Sequence, residues 1–106
     1  MSFTVVTKEE LKAKIDRNEP VQILNVLPPA YWREGSIVHS KKIPLDELDN
    51  RLGELDKSKE VIAYCANYQC QASRQAATRL SQKGFNVKAY EGGIEEWKLS
   101  GYPMEQ

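Results

Sequence analysis

The chain has 106 residues, of which 41% are hydrophobic and 28% charged, and its fifteen basic and fifteen acidic side chains balance. These values are typical of one soluble globular domain spanning residues 1–106. No block of like charge and no apolar run of the ~20 residues that span a bilayer occurs, so we expect neither nucleic acid nor a membrane as partner. The amino-terminal residues do not form a signal peptide, which predicts a cytoplasmic protein with reduced cysteines.

Apolar residues predict strands that alternate with helices along the whole chain. Thr7 and Glu10 form a capping box that starts the first helix, and Pro29 starts a short helix that ends at Gly35. The predicted elements are strand 3–6, helix 8–17, strand 21–26, helix 29–34, a crossing segment 36–42 with weak strand character at 37–38, helix 45–55, strand 61–64, a helix from about 72 to 84, strand 85–90, helix 94–99 and an end of the ordered chain at 101–103. This order predicts a mostly parallel sheet covered by helices on both faces, with its functional crevice at the carboxyl ends of the strands.

Both cysteines of the chain follow the predicted strand 61–64, and an alanine-rich helical pattern begins after them. A strand, a short loop and a helix would point Cys65 at the positive end of a helix dipole, among free backbone N–H groups. Such surroundings favour a thiolate, and the loop between Cys65 and Ser73 contains no acidic residue. Arg74 adds positive charge one position into the helix. A buried cysteine that only fills space is the alternative interpretation of Cys65.

The role of Cys70 is open between three interpretations. It fills space, it tunes the pocket as a second thiol, or it is a resolving thiol that forms a disulfide with Cys65 or accepts its sulfur. A disulfide requires the two Cα atoms to come within about 7 Å, so the loop would have to curl. The polar side chains between the helix and the strand are either pocket walls or a solvated loop: Asn67, Tyr68, Gln69 and Gln71.

Other chemistry-bearing patterns are weak. Two cysteines and one histidine, His39, give no metal-ligand set of the usual spacing, and we expect His39 at the surface. The pair Gly92-Gly93 does not match the dinucleotide fingerprint, which needs Gly-x-Gly-x-x-Gly at the start of a helix after a strand, and it predicts a tight turn with positive φ. We expect Trp97 to serve packing and Tyr31 to face a cleft.

Four passages of the sequence resemble the rhodanese domain, the fold of the sulfurtransferases. The match covers nearly the whole chain and implies a three-layer α/β sandwich with a mostly parallel five-stranded sheet. The passages are Gly35-x-Ile37 with Ile43-Pro44-Leu45, then Tyr64-Cys65, then Ser73-x-x-Ala76-Ala77-x-x-Leu80-x-x-x-Gly84-Phe85-x-Val87, and finally Glu91-Gly92-Gly93-x-x-x-Trp97-x-x-x-Gly101-Tyr102-Pro103.

The resemblance implies sulfurtransferase activity with Cys65 as the catalytic nucleophile. Cys65 would take sulfane sulfur from a thiosulfate-like or persulfide donor and hold it as a covalent persulfide, with no other cofactor and no metal. The acceptor would be a small thiophilic compound or a protein thiol. The implied active-site loop comprises Ala66, Asn67, Tyr68, Gln69, Gln71, Ala72 and Ser73, with Cys70 as a second thiol and Arg74 as support for an anion.

Three departures from the family pattern affect the predicted activity. Asn25-Val26-Leu27 stands where the family usually has Asp-Val-Arg, and Ser36 replaces the usual His of Gly-His-Ile. The loop after Cys65 is two residues longer than the common Cys-x-x-Gly-x-Arg loop and carries Cys70, as in a subgroup with a Cys-x4-Cys-x-Ala-Ser loop. A phosphatase would need a Cys-x5-Arg loop, and Arg74 comes too late for one. The departures leave two alternatives open: an inactive binding or regulatory module, and a dithiol redox sensor.

Overall fold

A computed structural model describes residues 3–106. The strands are β1 (Thr4–Val5), β2 (Gln22–Asn25), β3 (Ser36–Ile37), β4 (Ser40–Lys42), β5 (Val61–Tyr64), β6 (Val87–Tyr90) and β7 (Met104–Glu105). Five of them form a parallel sheet in the order β1-β6-β5-β2-β4, while β3 and β7 pair antiparallel in a separate two-stranded sheet. The predicted α/β fold with a parallel five-stranded sheet is confirmed.

Three α-helices connect these strands: α1 (Lys8–Asp16), α2 (Ala72–Gln82) and α3 (Gly93–Leu99). The predicted capping box starts α1, since Thr7 Oγ1 accepts from the Glu10 amide at 3.1 Å and Glu10 Oε1 accepts from the Thr7 amide at 2.8 Å. The short helix Pro29–Glu34 is a 3-10 helix that begins with proline and ends at Gly35, as the sequence indicates.

Two segments differ from the sequence-based prediction. Residues 45–55 form two 3-10 helices, Leu45–Asn50 and Leu52–Glu54, because each piece is too short to gain the propagation energy of an α-helix. The ordered chain does not end at Pro103, because Met104 pairs with Ile37 in the small sheet. Two-residue strands have no periodicity that a sequence pattern could reveal.

The centre of the sheet positions the loop that carries the cysteines. All four residues of β5 are buried, so both faces of this strand are covered. The last residues of three neighbouring strands, Asn25, Tyr64 and Tyr90, lie in register at the carboxyl edge of the sheet. Cys65 follows Tyr64 directly and therefore enters the crevice predicted at this edge. Trp97 on α3 is fully buried, in agreement with its predicted packing role.

No helix among residues 3–106 combines the length and the apolar character that a membrane crossing requires.

Candidate active site

Cys65 lies at the bottom of the site, beneath its own loop. The residue is only 1% exposed, and its thiol donates a weak hydrogen bond to the carbonyl oxygen of Cys70 at 3.5 Å. Cys70 is half-buried, and its neighbours Gln69 and Gln71 are exposed. The main chain at Cys70 thus covers the Cys65 sulfur, while the Cys70 side chain stays closer to solvent. Both cysteines are free thiols.

The amino terminus of α2 faces both sulfur atoms. No side chain caps this helix, and its first turn contains no acidic residue. The backbone N–H of Ser73 points at the Cys65 thiol, and those of Ala66 and Ala72 point at the Cys70 thiol. The two sulfur atoms therefore occupy the place of a capping side chain, where the helix dipole favours negative charge.

The pKa of Cys65 is nevertheless raised. Burial is the main cause, and the neighbouring Cys70 thiol adds to it. The amide and the hydroxyl of Ser73 act in the opposite direction but do not outweigh burial. The Ser73 amide thus favours the Cys65 thiolate, as the sequence predicts for this position, but the loop also removes the sulfur from water, and burial has the larger effect.

The pKa of Cys70 is lowered. Burial alone would raise it, but the Ala66 amide, the Cys65 thiol, the Ala72 amide and the charge of Arg74 together outweigh burial. Of the two thiols, Cys70 therefore loses its proton more readily. The environment predicted for Cys65 is found around its partner.

Ser73 carries an unsatisfied hydroxyl beside Cys65. The side chain is fully buried, and its Oγ has no hydrogen-bond partner within residues 3–106, although it lies close enough to Cys65 to favour the thiolate. A buried polar group without a partner costs about 1–3 kcal/mol. A negatively charged sulfur on Cys65 would accept a hydrogen bond from this hydroxyl and remove that cost.

Arg74 supports an anion at Cys70 rather than at Cys65. Its Nη1 lies 3.1 Å from Glu91 Oε2, and both side chains are partly exposed. The Coulomb attraction of Arg74 lowers the pKa of Cys70, and no comparable effect reaches Cys65. The role of Arg74 as support for an anion stays a prediction, and its charge acts on the second thiol.

Two residues of the loop fasten it to α3. Asn67 Oδ1 accepts from the amides of Gln69 and Cys70 at 3.0 and 3.2 Å, which closes a tight turn, and Asn67 Nδ2 donates to Glu95 Oε2 at 3.3 Å. The Tyr68 hydroxyl donates to Glu96 Oε2 at 2.9 Å. Asn67 and Tyr68 are thus anchors. For Gln69 and Gln71, whose side chains are exposed, the solvated-loop interpretation fits.

Gly93 lets α3 approach the loop backbone. Its φ is +67°, as the predicted tight turn requires, and a Cβ at this position would lie 2.5 Å from the Cys65 oxygen and 2.6 Å from the Ala66 carbonyl carbon. The following amides donate into the loop: Ile94 N to Cys65 O at 3.0 Å and Glu95 N to Ala66 O at 2.9 Å. The sequence indicated the turn, but it gave no signal for this close contact.

A buried polar network surrounds the hydroxyl of Tyr64, the residue that precedes Cys65. The Tyr64 hydroxyl accepts from the Ile37 amide at 3.0 Å and lies 2.6 Å from Ser40 Oγ, which donates to the Ile37 oxygen at 2.6 Å. Burial raises the pKa of Tyr64, so its phenol keeps the proton that it donates to Ser40. Asn25 and Ser36, two of the departures from the family pattern, also face this hydroxyl. Sequence reasoning identified these positions but not their contact.

A groove of about 450 Å³ runs beside the loop, between the 3-10 helix Pro29–Glu34 and α3. Its apolar lining includes Leu27, Ala66 and Ile94, and Tyr31 faces it, as predicted. The groove reaches the loop at Ala66, and neither cysteine is among its lining residues.

The remaining sequence-based candidates lie outside this site. His39 is exposed, in agreement with the surface position predicted for it. In the described part of the chain, residues 3–106, no group of three or more His, Cys, Asp or Glu side chains could hold a metal ion.

Comparison with known proteins identifies the fold and the family. The sequence profile of the rhodanese-like domain matches residues 7–100. Among curated proteins, a sulfurtransferase of Allochromatium vinosum is 28% identical over 93% of this chain and 92% of its own length. The HTH-type transcriptional regulator Rv0324 of Mycobacterium tuberculosis is 31% identical over 95% of this chain, but the chain spans only 44% of that protein.

Solved structures agree with this result. The rhodanese-related protein of Thermoplasma volcanium superposes with a TM-score of 0.85 at 31% identity, covering 96% of this chain and 97% of its own. The BH2092 protein of Bacillus halodurans has a TM-score of 0.89 at 27% identity, covering 96% of this chain and 76% of its own. With a parallel five-stranded sheet, a cysteine at the end of its central strand and a profile match over most of its length, the chain belongs to the rhodanese-like domain family.

Proposed function

We propose that this protein is a sulfurtransferase that carries sulfane sulfur as a persulfide on Cys65, within the subgroup that has a Cys-x4-Cys-x-Ala-Ser loop. The observation that carries the proposal is the buried, unpartnered Ser73 hydroxyl, which together with the Ser73 amide faces Cys65 at the start of α2. Two donors that face one sulfur atom suit an anion that is present only during turnover. Relatives named sulfurtransferase and putative sulfur carrier protein support the same class of reaction.

The first half-reaction begins with a proton transfer inside the thiol pair. The Cys70 thiolate takes the proton of Cys65, and the Cys65 thiolate then attacks the outer sulfur of a donor such as thiosulfate. The S–S bond of the donor breaks, and sulfite leaves with the electron pair. The negatively charged persulfide on Cys65 then accepts hydrogen bonds from the Ser73 hydroxyl and the Ser73 amide.

The second half-reaction returns the enzyme to its starting state. A thiophilic acceptor attacks the outer sulfur of the persulfide, and Cys65 leaves as a thiolate that regains its proton. No cofactor other than the covalent persulfide takes part. The donor and the acceptor are small sulfur compounds or a protein thiol, met in the cytoplasm, with neither nucleic acid nor a membrane as partner.

Mass spectrometry of the protein after incubation with thiosulfate tests this proposal. We expect one sulfur atom to be gained on the peptide that carries Cys65, and none in Cys65→Ser. Cys70→Ser should still form the persulfide, because water can accept the Cys65 proton in place of Cys70 and one of the causes that raise the pKa of Cys65 is gone. A persulfide that survives in Cys65→Ser would contradict the assignment.

A dithiol redox sensor is the second candidate, favoured by the direct interaction of the two thiols. Hydrogen peroxide would then convert the pair to a disulfide, seen as the loss of two hydrogens and a cross-link between the Cys65 and Cys70 peptides. If neither a gained sulfur nor a cross-link appears, the fold serves as a binding or regulatory module.

A further inference from the structure

We propose that Cys70 is a second sulfur-bearing residue, which takes the outer sulfur from the Cys65 persulfide and presents it to the acceptor. This inference rests on the proposed function, because it needs a persulfide on Cys65. It assigns the acceptor-facing step to a residue that the common single-cysteine loop of the family does not contain.

Accessibility is the first argument. Cys65 is 1% exposed and lies under the carbonyl group of Cys70. This cover hinders a bulky acceptor at the Cys65 sulfur more than it hinders a small donor. Cys70 is half-buried and lies between the exposed residues Gln69 and Gln71, so its side chain is the sulfur that an acceptor can meet.

The surroundings of Cys70 are the second argument. The backbone N–H groups of Ala66 and Ala72 point at its sulfur, and Arg74 contributes positive charge from the first turn of α2. These groups lower the pKa of the Cys70 thiol, so a nucleophile is available beside Cys65. The same donors would stabilise a persulfide anion formed on Cys70.

The transfer between the two residues is balanced without any further reactant. The proton that Cys70 took up in the first half-reaction passes to the outer sulfur of the Cys65 persulfide, which restores the Cys70 thiolate. That thiolate attacks the outer sulfur, the S–S bond of the Cys65 persulfide breaks, and the electron pair stays on Cys65. Cys65 regains a proton, and Cys70 carries the persulfide; one S–S bond forms and one breaks, with no net oxidation.

The tight turn at Asn67 keeps the two sulfur atoms together during this step. Asn67 Oδ1 holds the amides of Gln69 and Cys70, so the Cys70 end of the loop is fixed relative to its start. Tyr68 and Asn67 tie the same turn to α3 through Glu96 and Glu95. The distance between donor and acceptor sulfur is thereby set by the fold instead of by diffusion.

Two acceptors of different size test the proposal. The wild type, Cys70→Ser and the control Gln75→Ala, an exposed position on α2, are supplied with thiosulfate and then with cyanide or glutathione. We expect Cys70→Ser, once it is loaded with the Cys65 persulfide, still to pass the sulfur to cyanide, which is small. Transfer to glutathione should fall by about ten-fold or more, which corresponds to a barrier increase of about 1.4 kcal/mol. Gln75→Ala should behave as the wild type with both acceptors.

Peptide mapping of the wild type gives a result that does not depend on any variant. After a single loading with thiosulfate and rapid alkylation, the extra sulfur should appear first on the Cys65 peptide and then on the Cys70 peptide. If Cys70→Ser transfers sulfur to glutathione as fast as the wild type, the relay is wrong while the Cys65 persulfide stands. A Cys65–Cys70 disulfide with release of hydrosulfide would also overturn the relay. A wild type that gains no sulfur would overturn the relay and the proposed function together.

Discussion

Asn25 and Ser36 hydrogen-bond to each other at 3.2 Å, with the Asn25 Nδ2 group as donor, and both side chains are fully buried. Asn25 Oδ1 also accepts from the Leu27 amide at 2.9 Å, which fixes the orientation of the Asn25 side chain. These are two of the positions at which the sequence departs from the family's usual Asp and His. Asn25 and Ser36 contact each other, so the two departures belong together. A neutral amide and a hydroxyl stand where the family usually has a carboxylate and an imidazole.

Removal of the Ser36 hydroxyl should destabilise the fold. In Ser36→Ala, the buried Asn25 Nδ2 group loses its acceptor, and we expect a loss of about 1–3 kcal/mol in the free energy of unfolding. Urea unfolding followed by circular dichroism measures this value. Ser58→Ala is the matched control, since Ser58 also makes a side-chain hydrogen bond, to Asp56, but in an exposed turn. Equal losses in the two variants would contradict the buried pair.

Gly93→Ala should damage both stability and persulfide formation. The new Cβ would collide with the backbone of Cys65 and Ala66, in addition to the strain of a positive φ. Gly101→Ala separates the two effects, because Gly101 has a φ of +72° but nothing within 4 Å of the added Cβ. We expect Gly101→Ala to lose only the strain energy of about 1–2 kcal/mol. Gly93→Ala should lose more free energy of unfolding, and a mass-spectrometric time course should show slower persulfide formation. Equal stability of the two variants would rule out the contact between the added Cβ and the loop backbone.

Cys70 should lose its proton at lower pH than Cys65, although Cys65 is the proposed nucleophile. The lowered pKa of Cys70 means that its thiolate persists to lower pH than that of an ordinary cysteine, and the raised pKa of Cys65 means that its thiolate appears only at higher pH. Peptide-resolved alkylation with iodoacetamide across a pH series should therefore show the Cys70 inflection first. In Cys70→Ser, the Cys65 inflection should move to lower pH, since the hydrogen bond and charge of Cys70 raise the Cys65 pKa. A Cys65 inflection below that of Cys70 in the wild type would show that the assignment is reversed.

Arg74→Gln should raise the pKa of Cys70, because the Coulomb attraction of Arg74 helps to lower it. The same alkylation series detects the change as a shift of the Cys70 inflection to higher pH. Arg79→Gln removes an equal charge from the same helix, but Arg79 donates to the Leu45 oxygen instead of facing the thiols. We expect no shift in that variant. If both variants move the inflection equally, the effect comes from the net charge of the protein and not from the position of Arg74.

Local patterns predicted much of the fold. The apolar run 61–64 and the Thr7–Glu10 capping box are local features, and each specifies its element through neighbouring residues. The alternation of strands and helices then restricts the topology to a parallel sheet, which places Cys65 at its carboxyl edge. At residues 45–55, the spacing of apolar residues predicts a helix but does not distinguish 3-10 from α-helical turns.

The electrostatics of the site could not be predicted in the same way. Whether Cys65 or Cys70 holds the charge depends on burial, and burial depends on how the loop folds back over Cys65. The anchors of that loop, Glu95 and Glu96, are 28 residues away from Asn67 and Tyr68 in the sequence. Without an observed contact, neither carboxylate is distinguished from the other acidic residues of the chain.

The lengths of the outer strands affect how the protein behaves at high concentration. β1 and β4, at the two edges of the five-stranded sheet, have only two and three residues, and β4 carries Lys41 and Lys42. Short edges with lysines offer few free N–H and C=O groups and repel a second edge of the same kind. The sheet is therefore protected against edge-to-edge aggregation, although its three central strands are mostly buried.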